Sequence, residues 1–291
     1  MRTRPLGPGA PVVSAIGFGG MPLSIHDRPD DAQGVRVLLA ALDHAVTLID
    51  TADVYCLDDG DIGHNERLIA RALATWGGDP SGVIVATKGG LTRPGGRWER
   101  DARPAHLRRA CERSLRALGL ERIDLYQLHA PDPAVPFLDS VGALADLQRE
   151  GKVRWIGLSN VSVREIEKAA TLVTVVTVQN RLSPFFREAI TTGVVEHCAR
   201  HGIGFLAYSP VGGGRLNKKL PAHPALAPMA KRLGVSPHAL VLSWVLAQGE
   251  TVMPIPGARS AEHALDSITA ADVTLGPDDL AAITRAEFSR A

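Results

Sequence analysis

The 291-residue sequence is poor in the features that mark specialised protein classes. It has only three cysteines, Cys56, Cys111 and Cys198, and their spacing matches no metal-binding motif. A small, odd number of cysteines argues against a disulfide framework. We therefore expect a reducing, cytoplasmic location and no metal site.

The chain also lacks an excess of charge and a long apolar run. Its 32 Lys and Arg residues are balanced by 31 Asp and Glu residues, so we expect no electrostatic binding of nucleic acid. No apolar stretch approaches the roughly 20 residues needed to cross a bilayer, and Pro and Gly interrupt the N-terminal apolar stretch. We expect neither a membrane span nor a signal peptide. What remains is an ordinary globular composition with enough residues for a large core.

The main positive pattern is an alternation of short apolar runs with longer segments of helical periodicity. The eight apolar runs are AIGFGG, TLID, GVIVATK, IDLYQLH, VRWIGLS, VTVVTVQ, GIGFLAYS and TVMPIP. The predicted helices are 31–45, 65–75, 104–118, 137–150, 163–171, 191–201, 237–246 and 260–267.

Strands that alternate with helices pair in parallel through right-handed crossovers. Eight such units in this length predict an α/β protein with a (β/α)8 barrel. The alternative, an open doubly wound sheet, needs a Gly-rich turn that leads from the first strand directly into a helix. The Gly-rich segment 17–21 is not followed at once by a helix, which favours the barrel. No low-complexity linker divides the chain, so we expect one domain over residues 1–291, with a short N-terminal hairpin that closes the bottom of the barrel.

Polar residues stand where the predicted strands end, which is where barrel enzymes carry their chemistry. The second strand ends in Asp50 and is followed by Tyr55, the third ends in Lys88, and the fourth ends in His129. The later strands end in Ser159, Asn160, Gln179, Tyr208 and Ser209.

The first four of these residues predict the reduction of a carbonyl group. Asp50 can pair with a buried Lys88, and a lysine beside Tyr55 would favour the phenolate and lower the pKa of the tyrosine from its usual value near 10. Tyr55 would then act as a general acid towards a carbonyl oxygen that His129 also hydrogen-bonds. No side chain supplies hydride, so a nicotinamide cofactor is required.

Two residues have competing interpretations. Lys88 could form a Schiff base, as in barrel aldolases, but Asp50 and Tyr55 at this spacing disfavour that reaction. Trp98, in the polar loop after Lys88, could be a wall of the substrate pocket or a surface residue, and the sequence does not decide between them.

Seven segments in order resemble the aldo-keto reductase superfamily, and the resemblance covers most of the chain. The segments are IDTADVY, VATKGG, DLYQLHAPD, GKVRWIGLSN, TVQN, AYSPVGGG and PIPGARSAEHALDSI. The resemblance implies a barrel that binds NADP(H) without a metal, reduces small-molecule aldehydes or ketones, and uses Asp50, Tyr55, Lys88 and His129 as its catalytic tetrad. The cofactor positions that it implies are Gly20, Asp50, Ser159, Asn160, Gln179, Tyr208, Ser209, Pro210, Val211, Gly213, Arg215, Pro256, Gly257, Arg259, His263 and Ser267.

The sequence departs from the family at the expected 2'-phosphate site. His263 and Ser267 stand where NADP-selective members often have Arg and Asn, while Arg259 can still contact a phosphate. We expect NADP(H) rather than NAD(H). Some relatives are regulatory subunits that bind NADP(H) with little turnover, which is the alternative function. Short loops at 130–136 and 212–224 and a short C-terminal tail predict an open substrate pocket, and the sequence gives no oligomeric state.

Overall fold

The computed structural model describes residues 1–290. The strands are β1 (Thr3–Pro5), β2 (Val12–Ser14), β3 (Phe18–Gly19), β4 (Leu48–Asp50), β5 (Ile84–Gly89), β6 (Leu91–Thr92), β7 (Glu99–Arg100), β8 (Ile123–Leu128), β9 (Val153–Ser159), β10 (Val175–Arg181), β11 (Gly204–Tyr208) and β12 (Val252–Pro254).

The α-helices alternate with these strands through most of the chain. They are α1 (Asp31–Asp43), α2 (His64–Thr75), α3 (Pro104–Leu118), α4 (Phe137–Arg149), α5 (Val163–Ala169), α6 (Glu188–Thr191), α7 (Val194–Arg200), α8 (Gly213–Leu216), α9 (Leu226–Leu233), α10 (Pro237–Leu246), α11 (Ala261–Thr269) and α12 (Pro277–Arg285). Short 3-10 helices lie at Met21–Leu23, Asp59–Asp61, Pro80–Gly82, Pro94–Gly96 and Asn217–Ala222.

Eight parallel strands form one sheet in the order β3-β4-β5-β8-β9-β10-β11-β12. The two edge strands meet, because Gly17 N donates to Pro254 O at 3.0 Å and Gly19 N donates to Pro256 O at 2.9 Å. The sheet therefore closes on itself, and the (β/α)8 barrel is confirmed. Each of the eight predicted apolar runs overlaps one of these strands.

Alternating side chains of the strands fill two separate cores. Leu48, Ile84 and Leu206 point into the barrel, where they pack with one another in an apolar cluster. Val85 and Phe205, which are their neighbours in sequence, pack outward against the surrounding helices. Both faces of each strand are thus buried, which explains why the strands appear in the sequence as continuous apolar runs rather than as an alternating pattern.

The predicted N-terminal hairpin is confirmed. β1 pairs with β2 in antiparallel fashion, and Leu6, in the connecting turn, is fully buried with the residues of the barrel interior. The turn lies so close to the barrel that a Cβ on Gly7 would approach Val176 O to 2.0 Å. The hairpin therefore covers the end of the barrel opposite to the carboxyl ends of the strands.

The sequence predicted the bounds of some helices correctly and those of one helix incorrectly. Helices α3 and α10 have the predicted bounds. The single helix predicted over 191–201 is wrong, because Gly193 takes a φ of +77° and separates α6 from α7. Across the described chain, residues 1–290, we find no helix with the length and apolarity of a membrane span.

Candidate active site

Four polar side chains meet at the carboxyl ends of β4, β5 and β8. Asp50 ends β4, Lys88 lies near the end of β5, and His129 directly follows β8. Tyr55 comes from the loop after β4, where its backbone N donates to Ala52 O at 3.1 Å. All four side chains are buried, so the structure brings the predicted tetrad together away from the protein surface.

Lys88 is at the centre of this group and is completely buried. Its Nζ donates to Oδ2 of Asp50 at 2.7 Å, to the backbone oxygen of Thr51 at 2.8 Å and to the phenol oxygen of Tyr55 at 3.0 Å. These bonds use all three donors of an ammonium group. Burial lowers the pKa of Lys88, and the charge of Asp50 opposes that shift. A lysine in such a position is tolerable because its counter-ion is in direct contact.

The second oxygen of Asp50 is held by glutamines from two other strands. Gln179 donates from Nε2 to Oδ1 at 2.7 Å, and Gln127 donates to the same atom at 3.4 Å. Gln179 is one of the predicted cofactor residues, and in this structure its amide positions Asp50. Gln127 was missed by the sequence analysis, although a glutamine inside the apolar run IDLYQLH is a signal that could have found it.

The expected lowering of the Tyr55 pKa is wrong. Burial raises the pKa of Tyr55 well above 10, and the negative charge of Asp50 raises it further. Lys88 does donate a hydrogen bond to the phenol oxygen, but its charge is balanced by Asp50, so it does not overcome the desolvation of a phenolate. Tyr55 is therefore a protonated phenol at neutral pH, which is the state required of an acid.

His129 is uncharged and stands edge-on to Tyr55. Burial lowers the pKa of its imidazole well below 6.5, and the charge of Lys88 adds to this effect. The two rings are 5.8 Å apart between centroids at an interplanar angle of 82°. The backbone around His129 is fixed, since its N donates to Gly89 O at 2.9 Å and Asn160 Nδ2 donates to its carbonyl at 2.9 Å. The imidazole atom Nδ1 is buried, and no hydrogen-bond partner for it occurs in residues 1–290.

Three further predicted residues lie beside the tetrad at the ends of β9 and β11. Asn160, with a φ of +59°, turns back so that its Nδ2 donates to Ser159 Oγ at 3.1 Å. The phenol of Tyr208 donates to Asn160 Oδ1 at 2.7 Å. This arrangement places hydroxyl and amide groups next to a half-buried aromatic ring on the side of the pocket facing His129.

The segment that follows Tyr208 turns sharply, and its backbone has unusual conformations. The φ angles are +50° at Ser209, +92° at Gly212 and +82° at Gly213. A hydrogen bond from Gly212 N to Ser209 O at 2.9 Å closes the turn, which contains the predicted Pro210 and Val211. Backbone in which left-handed and right-handed residues follow one another can form a concave group of N–H donors, which favours anions.

Arg215, by contrast, does not point to the pocket. Its guanidinium donates to the backbone oxygen of Arg290, so in this structure it holds the C-terminal segment rather than a site for an anion.

The remaining predicted positions lie together where β12 leads into α11. Arg259 is exposed, and its guanidinium donates to Pro22 O at 3.2 Å and to His26 O at 2.9 Å. Ser260 caps α11, its hydroxyl accepting from His263 N at 3.3 Å, and Ser267 Oγ donates to His263 O at 2.9 Å. Arg259 and His263 therefore lie at the exposed start of α11, and Ser267 lies one turn further along the same helix.

Glycine is required at two of the predicted positions for close packing. A Cβ on Gly20 would lie 2.3 Å from Oδ1 of Asn65, and a Cβ on Gly257 would lie 2.6 Å from Gly19 O. Pro256 accepts the hydrogen bond from Gly19 N that closes the barrel. These residues allow the first and last strands and their connecting segments to pack closely at this end of the barrel.

Trp98 is half-exposed, and its contacts agree with the interpretation of this residue as a wall of the pocket. Trp98 lies beside the small hairpin of β6 and β7, and its ring meets the ring of Tyr55 edge-on at 6.4 Å. Its other neighbour is Arg93, whose Cζ lies 4.0 Å from the centroid of the indole.

The sequence analysis did not predict a pair of buried acidic residues near the tetrad, Asp53 and Glu66. Asp53 and Glu66 are fully buried; Arg113 donates to Asp53 at 3.2 Å, and Thr87 Oγ1 donates to Glu66 Oε1 at 2.6 Å. Burial raises the pKa of Asp53 to about 7, with a further contribution from the charge of Glu66. The signal in the sequence was an acidic residue within the apolar stretch TADVY.

In residues 1–290 we find no group of three or more His, Cys, Asp or Glu side chains that could hold a metal ion.

Comparison with known proteins gives one consistent result. The sequence model described as the aldo/keto reductase family matches residues 15–287. An uncharacterized oxidoreductase of Schizosaccharomyces pombe is 35% identical over 272 residues, which are 92% of this chain and 84% of the relative. The structure of a glycerol dehydrogenase from Gluconobacter oxydans matches with a TM-score of 0.83 at 30% identity, over 97% of this chain and 93% of the other. A Klebsiella pneumoniae aldo/keto reductase in complex with NADP and acetate matches with a TM-score of 0.82 at 28% identity, over 98% and 95% of the two chains.

Proposed function

Because this chain belongs to the aldo/keto reductase family, we propose that it reduces aldehydes or ketones to alcohols with NADPH, and that Tyr55 is the general acid. The observation that carries the proposal is the contact of Lys88 Nζ with both Tyr55 and Asp50 in a buried pocket. An ammonium group in contact with a phenol stabilises the phenolate that forms when the phenol gives up its proton.

The residues around the pocket fit a dinucleotide cofactor. Ser159, Asn160 and Gln179 offer a hydroxyl and two amides close to the tetrad, and Tyr208 offers a half-buried ring beside them. The segment from Ser209 to Gly213 has the backbone conformations that favour an anion. When bound, the nicotinamide supplies the hydride that no side chain can supply.

The chain's own residues account for the rest of the reaction. His129, being uncharged, can orient a carbonyl oxygen towards the tetrad without repelling Lys88. Tyr55 then transfers its phenolic proton to that oxygen as the carbon is reduced. The phenolate left behind faces Lys88 Nζ, and Asp50, held by Gln179, keeps Lys88 in place.

We also propose that Arg259 selects NADP(H) over NAD(H). It is the cation of the group that includes His263 and Ser267, and its guanidinium is anchored by two backbone oxygens yet exposed. A guanidinium fixed in this way can make charge-assisted hydrogen bonds to a phosphate.

The proposal is tested by following NADPH oxidation with a panel of small aldehydes and ketones, with NADH in parallel. We expect turnover that prefers NADPH. Binding of NADPH without turnover of any panel member would contradict the proposed activity and favour a binding role.

A further inference from the structure

Arg93, in the loop after β6, is a buried cation that the proposed mechanism does not use. Its side chain is buried, with only 6% of the residue exposed. Its Nη2 donates to the backbone oxygens of Cys56 at 3.1 Å and Leu57 at 3.0 Å. Nε and Nη1, which carry most of the donors of a guanidinium, are buried and have no hydrogen-bond partner within residues 1–290.

The neighbouring charges do not neutralise this guanidinium. On the same loop, Arg97 pairs with Glu99 at 3.1 Å and Arg103 pairs with Asp101 at 2.7 Å. None of the ion pairs found among the described residues includes Arg93. A buried charge without a counter-ion is costly. The two hydrogen bonds of Arg93 to the backbone of the Tyr55 loop therefore do not by themselves explain a buried arginine here.

Asp61, an acid of the adjoining loop, is engaged elsewhere. Asp61 accepts a hydrogen bond from Leu57 N at 3.2 Å, but its carboxylate is ion-paired with Arg28. The loop that carries the acid Tyr55 thus gives Arg93 only neutral carbonyl oxygens as partners.

Arg93 is directly linked to the reaction centre. Its Nη2 bonds the backbone of Cys56, the residue that follows Tyr55. The indole of Trp98 lies 4.0 Å from Arg93 Cζ and also meets the ring of Tyr55. Trp98 is 47% exposed. This one side chain therefore contacts both Tyr55 and Arg93 and also reaches the protein surface.

Building on the proposed function, we infer that Arg93 is the counter-ion for substrates with an anionic group, a carboxylate or a phosphate, attached to the reacting carbonyl compound. The guanidinium donors left unpaired in this structure are those that bind such an oxyanion. The anion approaches them beside Trp98, whose half-exposed ring lies against the guanidinium.

The test compares matched pairs of aldehydes that differ in charge: succinic semialdehyde with butanal, 4-carboxybenzaldehyde with 4-methylbenzaldehyde, and glyceraldehyde 3-phosphate with glyceraldehyde. We expect kcat/KM to be higher for the anionic member of at least one pair by roughly 10- to 100-fold, the range for hydrogen bonds to a charged group. The carboxylate and phosphate pairs distinguish the two kinds of anion.

Three variants show whether Arg93 causes the preference. Arg93→Met should reduce the ratio of kcat/KM within that pair to about one, while Arg93→Lys should keep part of it because the charge remains. Arg97→Met, which removes an exposed arginine of the same loop, should leave the ratio as in the wild type. A wild-type ratio near one in every pair, or an Arg93→Met variant that loses activity on both members equally, would overturn the inference while leaving carbonyl reduction intact.

If no aldehyde is turned over, the proposed function fails and a binding measurement decides the inference separately. Succinate and 4-methylbenzoate should then raise the melting temperature of the NADPH-bound wild type but not that of Arg93→Met. The neutral succinamide should have no effect on either. Equal shifts in both proteins would count against Arg93.

Discussion

Lys88 Nζ lies 2.7 Å from Asp50 Oδ2 and 3.0 Å from the phenol oxygen of Tyr55, in a pocket where the lysine is wholly buried. The carboxylate neutralises the ammonium, and burial keeps the phenol protonated. The contact with Lys88 therefore does not bring the pKa of Tyr55 below its usual value in the resting protein. In the proposed reaction the same contact would strengthen as the phenol gives up its proton, and an interaction that strengthens in this way favours the transition state.

Removal of Lys88 should destabilise the fold as well as the reaction. Lys88→Met leaves the Asp50 carboxylate buried without its counter-ion, which costs about 3–5 kcal/mol in comparable buried pairs. The free energy of unfolding measured with urea should fall by that order. The double variant Lys88→Met/Asp50→Leu, in which neither charge remains, should recover a large part of the loss. A single variant as stable as the wild type would show that the pair is not the buried unit described above.

The buried acid Asp53 should make stability fall as pH rises. Its pKa in the folded protein is about 7 against an ordinary value of 3.8, so between these pH values the folded state binds a proton that the unfolded state has lost. The free energy of unfolding contributed by this group therefore decreases from pH 4 to pH 7, by about 4 kcal/mol for three pKa units.

The Asp53→Asn variant tests this dependence. Relative to the wild type, its stability should improve steadily as pH rises from 4 to 7 and change little above that. The matched variant Glu262→Gln, at an exposed position, should show no such trend. Parallel curves for Asp53→Asn and wild type would mean that Asp53 is ionised in the folded protein at neutral pH.

Arg259 should account for most of the preference for the phosphorylated cofactor. Arg259→Ala should raise the Kd of NADPH by roughly 10- to 100-fold, the value of charge-assisted hydrogen bonds, and change the Kd of NADH far less. Arg36→Ala, an exposed arginine of α1, provides the control for a general loss of positive charge. The two dissociation constants are measured by the change in nicotinamide fluorescence. Equal weakening of both cofactors would remove Arg259 as the selective contact.

The sequence predicted the barrel and the tetrad because both depend on local rules. Continuous apolar runs mark strands buried on two faces, and a polar residue at the end of such a run marks the mouth of a barrel. Helix α3, with Pro104 at its start and Gly119 after its end, carries its boundaries in the sequence. Gly193 carried the same kind of signal, and the prediction of one helix over 191–201 failed because that glycine was not read as a turn.

Distances between remote segments could not be read from the sequence. The hydrogen bond from Gln179 to Asp50 joins residues 129 positions apart. Whether Arg93 has a counter-ion likewise depends on remote residues, since Asp61 is paired with Arg28. The direction of the Tyr55 pKa shift was wrong for the same reason, because it depends on the balance between burial and two opposite charges. The single-domain organisation, the cytoplasmic location and the roles of the individual site residues stay predictions.

The most direct test of the central claim is the kcat/KM of Tyr55→Phe for an aldehyde that the wild type reduces, measured together with its Kd for NADPH. Loss of a general acid should lower kcat/KM by roughly 10²- to 10⁴-fold, while the Kd changes little because the ring and its packing remain. A Tyr55→Phe protein that binds NADPH and keeps the wild-type kcat/KM would contradict the assignment of Tyr55 as the acid.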